Sequence, residues 1–327
     1  MYLCVLQTNK IDNIMEIEKK GEPFFKFRSA AKCLSAGIHL LTDNLKTLVH
    51  FLWIPILIFS LLNGIAFLII DRISLNVSLS DKLDILPIVI MMGLIIVLYL
   101  ALLFICGCIY TYLKKYRELD YPPSLSIKSV FKDIKHNMWR YFKLMLIFFI
   151  ISVVYVTITG YLAYLSMWTL FFTISLGIAA MIPFIYSIMV YMMEDNSSIM
   201  HAVKKSFHES RSHWGGIFLV VVITLLIVFI AEIILYTPFL LLQIIAAISK
   251  NSVEAGDPSG LPSYFIYLEF FTSAICTFIA YFVLLIEEFS LFFLYGSYEQ
   301  QNREKAEIAQ QEELLKVEQK REERKTL

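Results

Sequence analysis

"YFIYLEFFTSAICTFIAYFVLLIEEFSLFFLYGSYEQ", residues 264–300, decides how this chain is read. From Tyr264 to Gly296 it is mostly apolar, and its only charged residues are Glu269 and the adjacent pair Glu287 and Glu288. No basic residue occurs between Lys250 and Arg303 to balance those acids. About 20 apolar residues at 1.5 Å each cross a hydrocarbon core of ~30 Å. This run is longer than that, so it is read as a membrane-spanning helix with an extension.

Five more runs meet the same criterion, at roughly 48–70, 85–110, 144–164, 167–192 and 216–248. The chain is 58% hydrophobic and 17% charged, with a mean hydropathy of +0.69. Soluble domains are nearer 45–50% apolar and about 25% charged. The expected fold is therefore all-α, a polytopic integral membrane protein with six transmembrane helices. Pro55 and Pro183 fall inside spans one and four, where neighbouring helices tolerate a kink. Pro238 is expected to bend or end the fifth span, because it lacks an N–H and crowds the preceding turn. Residues 239–249 would then be interfacial or re-entrant. Spans three and four are expected to form a tight hairpin around Ser166.

Residues 15–47, 111–143, 193–215 and 299–327 hold 24 of the 28 Lys and Arg residues. The intervening segments hold only Arg72, Lys82 and Lys250. Excess Lys and Arg marks the cytoplasmic side, so both termini are expected to be cytoplasmic. Three units are expected: residues 1–23 as a leader, 24–298 as the membrane domain and 299–327 as a charged helical tail. The first fourteen residues have no apolar core of signal-peptide length, and Met15 offers an alternative start.

Each pair of spans is preceded by an amphipathic segment. Phe27, Ala31, Leu34, Ile38, Leu41, Leu45 and Leu48 follow helical spacing, as do Ile127, Phe131, Ile134, Met138 and Tyr141. Ile199, Val203, Phe207 and Trp214 form a looser third stripe. The polar faces are basic: Lys26, Arg28 and Lys32; Lys128, Lys132, Lys135, Arg140 and Lys143; Lys204, Lys205 and Arg211. Ser29, Ser126 and Ser198 stand where N-caps are expected. The pattern predicts three repeats of a surface helix plus a two-span hairpin. The helices would lie along the inner leaflet with lysines toward anionic headgroups, dock onto the bundle, or both. The candidate surface or partner contacts are Lys128, Lys132, Lys135, Arg140, Lys143, Lys204 and Lys205.

The stretch "IPFIYSIMVYMMEDNSSIMHAVKKSFHESRSHWGGIFLV", residues 182–220, ends a span in an acidic pair. A short helix of form A-x-x-x-S-[FW] and a tryptophan follow. It resembles the membrane domain fused to some bacterial glycerophosphodiester phosphodiesterases, and related stand-alone six-span families of unknown function. Ala202, Ser206, Phe207 and Trp214 carry the match. The resemblance implies a bacterial inner-membrane location. The chain has no room for the phosphodiesterase barrel, so that activity does not carry over.

Four acids form the candidate intramembrane polar site: Glu232, Glu269, Glu287 and Glu288. Charge at membrane depth is costly and marks function. Glu269 and Glu287 are 18 residues apart, ~27 Å of helix and close to the core thickness. In one placement they mark the two boundaries. "FSLFFLYG" then packs against the surface helices, and the carboxylates pair with basic residues there. In the other, the pair lies within the bilayer as a proton or cation site. The first is the expectation. Glu232 lies at a level similar to Glu269, where the two approach or snorkel separately.

Other chemistry is sparse. The five cysteines, Cys4, Cys33, Cys106, Cys108 and Cys276, have no metal or disulfide spacing and read as buried hydrophobes. His201 and His208 share a helical face with no carboxylate, so no metal is expected. Glu194 and Asp195 read as a helix stop. No nucleophile-elbow, zinc-protease or P-loop motif occurs, and no cofactor or nucleic-acid partner is expected. The function expected is non-enzymatic: organising lipid or partner proteins at the inner leaflet, the tail offering a further protein contact. The alternative is a transporter using the intramembrane glutamates.

Overall fold

The computed structural model describes residues 22–79, 85–256 and 260–326. Seven helices occur among the described residues: α1 Ala30–Asp43, α2 Leu45–Leu79, α3 Ile85–Leu119, α4 Phe131–Leu165, α5 Thr169–Met193, α6 Ile199–Glu254 and α7 Phe265–Thr326. Helices α2 to α7 are each long and apolar enough to cross a membrane. They pack in chain order, and α7 closes the ring against α2. The α4–α5 contact is the loosest of that ring, and α1 lies chiefly on α7.

Buried residues gather at one end, where α3, α5 and the long run of α7 finish and α2, α4 and α6 begin. Helices α3, α4 and α5 leave most of their apolar side chains exposed toward the other end. The packed end carries most of the described charge and is called the charged end below.

The run "FSLFFLYG" is the centre of that end. Phe289, Phe292, Phe293 and Leu294 are buried. The Phe24 ring lies tilted against Phe292 at 4.4 Å, and Gly296 lets the Phe24 carbonyl close against α7. Fully burying a phenylalanine is worth ~1.5–3 kcal/mol, enough to pin the segment ahead of α1. The Ser297 hydroxyl accepts from Arg28 N–H at 2.9 Å and donates to the Arg28 carbonyl at 3.1 Å. The expected packing of this run against the first amphipathic helix is therefore present.

Several expectations are corrected. Only α1 is a helix separate from its span. The second amphipathic segment is the first part of α4, with no glycine or proline between Phe131 and Thr159 to stop the helix. The third is the first part of α6, separated from the rest by a kink at His213 (φ −123°, ψ 17°). These two segments project from their spans as extensions. Helix α6 also runs through Pro238 to Glu254, so residues 239–249 are neither re-entrant nor a separate piece. In an apolar setting the backbone has no alternative partner to helical bonding, which keeps such a helix intact.

The buried face of α1 is Cys33, Ala36, Gly37, Leu40 and Leu41, offset from the expected stripe; Phe27, Ala31 and Leu45 are exposed. Close approach to α7 selected the smaller residues. Of the expected caps, Ser198 accepts from His201 N–H at 3.2 Å, Ser29 makes no side-chain cap bond, and Ser126 lies in a turn before α4. Cys33, Cys108 and Cys276 are buried, Cys106 is half-buried, and all four are free thiols. Cys4, Lys82 and residues 1–21 of the expected leader lie outside the described residues.

Candidate functional site

Helix α5 ends at Met193, capped by Glu194, with its last carbonyls unused by the helix. Two arginines take them. Arg140 donates to the carbonyls of Tyr191, Glu194 and Asp195, the Glu194 bond being 2.6 Å, and its guanidinium lies 4.5 Å from the Tyr191 ring centroid. Arg117 donates to the Met193 carbonyl at 2.5 Å. Cations at a helix C-terminus also complement its dipole. Arg140 is 6% exposed and so leaves the expected surface set. It lies on one face of α4 with Ile134, Asn137 and Leu144.

Beside it, Lys114 donates to Asn137 at 2.7 Å and to the Asp195 carboxylate, and Asn137 donates to Thr111 at 2.9 Å. These groups border a polar cavity of about 230 Å³. Burial alone would raise the Asp195 pKa. The Lys114 hydrogen bond and charge outweigh it, so the carboxyl is held below its ordinary range. In the segment before α1, the hydrogen bond from Arg28 at 2.8 Å similarly lowers Glu22.

A second cluster joins α5, α6 and α7. Lys205 donates to Glu194 at 2.6 Å and to Glu299 at 3.0 Å. The buried Glu209 accepts from Tyr186 at 3.1 Å and Asn302 at 2.9 Å. Lys205 is half-buried and is thus engaged by carboxylates of the protein itself. Of the residues behind the noted resemblance, Ala202 and Ser206 are buried, and Ser206 donates to the Pro183 carbonyl at 2.5 Å. Phe207 meets Phe184 edge-on at 5.4 Å, and Trp214 stacks on Phe218 at 4.9 Å.

The remaining expected cations behave differently. Lys128, Lys132, Lys135, Lys143 and Lys204 are exposed, and none has an ion pair among the described residues. Phe131 and Trp139 are exposed among the lysines from Lys128 to Lys143. Lys143 turns back over the Trp139 ring at 5.5 Å, as a lysine does when its stem runs along apolar surface. A larger polar cleft of about 780 Å³ opens beside α1, with Glu22, Lys26, His39, Asp43, Tyr116 and Tyr121 on its walls.

The four intramembrane acids do not converge. Glu288 accepts a hydrogen bond from Tyr110 at 2.9 Å. Neither it nor Glu287 has an ion pair among the described residues, so the expected pairing with the basic segments is absent. Glu269 accepts from Gln243 on α6 at 3.0 Å, and Glu232 is half-buried. Exposed aromatics supply a depth scale. Trp139 and Tyr164 are 25 residues apart on α4, ~37 Å of helix. This matches a hydrocarbon core with part of its headgroup regions. Tyr264, just before α7, and Glu288 are 24 residues apart, ~36 Å by the same measure.

Sequence reasoning missed Lys114, Asn137, Asp195 and Glu209 as members of polar clusters. Asn137 and Arg140 at three-residue steps from Ile134 were a usable signal. No three His, Cys, Asp or Glu side chains come together as a metal site among the described residues.

The chain matches no family model, no curated protein and no solved structure.

Proposed function

We propose that this chain is a non-enzymatic, multi-pass inner-membrane protein that gathers anionic lipid and partner proteins at the cytoplasmic face. The charged end is cytoplasmic in this reading, and so are both termini, as the Lys and Arg distribution favours. The observation that carries it is the division of cations. Arg140, Lys114 and the half-buried Lys205 are engaged by partners within the protein, while Lys128, Lys132, Lys135, Lys143 and Lys204 are left exposed. Interleaved exposed Phe131 and Trp139 supply apolar anchorage at headgroup level. The α4 extension presents this surface as a projection from its span. Residues 304–316 of the tail are exposed and offer a helical contact to a protein partner.

The test uses the full protein in vesicles carrying fluorescent phosphatidylglycerol. The protein should concentrate the labelled lipid, measured as self-quenching. Lys128→Gln, Lys132→Gln and Lys135→Gln together should weaken that effect by up to about a hundredfold, since each such residue is worth ~1 kcal/mol near an anionic surface. Quenching that is absent, or insensitive to salt and to these substitutions, removes the lipid-gathering role.

One observation favours a second reading. Glu288 meets a tyrosine hydroxyl instead of a cation, and Glu287 stands beside it. A proton- or cation-coupled transporter would use such a pair, and ion flux separates the two readings.

A further inference from the structure

The loose contact between α4 and α5 leaves an apolar crevice of about 560 Å³ along the hairpin. That volume lies within the ~300–1,000 Å³ range of ligand sites. At one end Phe148 and Phe184 meet at 5.3 Å, and Thr159 and Ile174 lie toward the other. Phe148 to Thr159 is 11 residues, ~16 Å of helix, close to the ~15 Å that one leaflet contributes to the core. Tyr155 donates its hydroxyl to the Thr173 carbonyl, so its ring, not its polar tip, is left for the crevice wall.

The Phe184 end leads to a basic stripe. Phe184 also meets Phe207 of α6. Lys204, His208 and Arg211 flank Phe207 at helical spacing, all three are exposed, and none has an ion pair among the described residues. An apolar slot one leaflet long, entered beside unpaired cations, has the chemistry of one molecule: a phospholipid with an anionic headgroup. A second copy of this chain related by a two-fold axis would bring cations against cations, which disfavours it.

We propose that the α4–α5 crevice holds one acyl chain of an anionic inner-leaflet phospholipid whose phosphate is bound by Lys204 and Arg211. This deepens the lipid-gathering role and rests on the charged end being cytoplasmic. It names a discrete site, distinct from the lysines of the α4 extension.

The test is native mass spectrometry of the full protein in detergent, with phosphatidylglycerol and phosphatidylcholine titrated in competition. One phosphatidylglycerol should bind in preference. Filling the slot with Ala180→Phe, or independently with Ser152→Phe should one variant fail to fold, should abolish that preferred binding. Lys204→Gln with Arg211→Gln should cut the preference roughly tenfold or more, with both lipids still retained. Phosphatidylglycerol binding unchanged by the filling variants overturns the site, as does a wild type with no preference. A filling variant that converts a dimer to a monomer assigns the crevice to a second copy instead. The Lys128, Lys132 and Lys135 variant should leave this binding intact, so failure of lipid gathering there and failure of the crevice are separate results.

Discussion

Gly37 of α1 lies directly against Ser290 of α7: a β-carbon at residue 37 would stand 2.5 Å from the Ser290 hydroxyl oxygen and 2.6 Å from its backbone nitrogen. Backbone cannot rotate aside as a side chain can. Gly37→Ala is therefore expected to force α1 off α7 and to destabilise the protein by ~1–3 kcal/mol, the usual cost of overpacking. Gly93→Ala, where nothing lies within 4 Å, should be neutral or stabilising by up to ~1 kcal/mol. Unfolding of the two variants in detergent, followed by circular dichroism, checks the contrast.

Arg140→Gln should be among the most damaging single changes at the charged end. It strands the carbonyls of Tyr191, Glu194 and Asp195 together, and a cost of ~3 kcal/mol or more is expected from a buried charged donor lost. Lys135→Gln, five residues away on the exposed side, should stay within ~0.5 kcal/mol. Equal losses of thermal stability in the two variants would contradict the separation of inward and outward cations.

At the glutamate pair, Glu288→Gln keeps an acceptor for Tyr110 and should leave stability nearly unchanged. Glu288→Ala leaves the buried hydroxyl without its acceptor, at ~1–3 kcal/mol. Under the proposed function neither Glu287→Gln nor Glu288→Gln alters ion movement in proteoliposomes. A pH-driven flux in the wild type that vanishes in either variant would establish the transporter.

Asp195 gives an acid-limb prediction. Its folded pKa lies below the ordinary value, about 3.9, so its contribution is complete above the ordinary range. That contribution is lost as pH falls through the lower, folded value. Asp195→Asn should flatten the loss of stability below about pH 4. The effect is small, because the carboxylate is 53% exposed and screened by solvent. An unchanged pH profile of thermal stability would show that the Lys114 contact is not made.

Topology is checked with reporter fusions. Those at Ser80 and Ser259, both outside the described residues, should report the external side, and one after Leu125 the cytoplasm. External activity after Leu125 would invert or break the six-span arrangement.

The six spans were legible because crossing a bilayer imposes a length and a hydropathy that few other segments meet. The packing of "FSLFFLYG" was legible too, since such a run beyond a span has to be covered. The unbroken join in α4 was not. Amphipathic and apolar segments were separated by pattern, although nothing between Phe131 and Thr159 stops a helix. Arg140 and Lys205 read like their exposed neighbours because charge type does not reveal direction. Their carbonyl and carboxylate partners come from α5 and α7, which no local window contains. The α4–α5 crevice is a gap between helices, and a gap leaves no residue signature.

Helix α7 runs 62 residues from Phe265 to Thr326, with Gly296 as its one glycine and no proline. That glycine is gripped by Phe24. The element is thus a shaft without a joint. A turn or thrust applied at the exposed residues 304–316 would meet no glycine or proline before the buried run that holds Gly296 and Phe292. The residues that clasp it, Phe24, Gly37 and Tyr110, are its bearings.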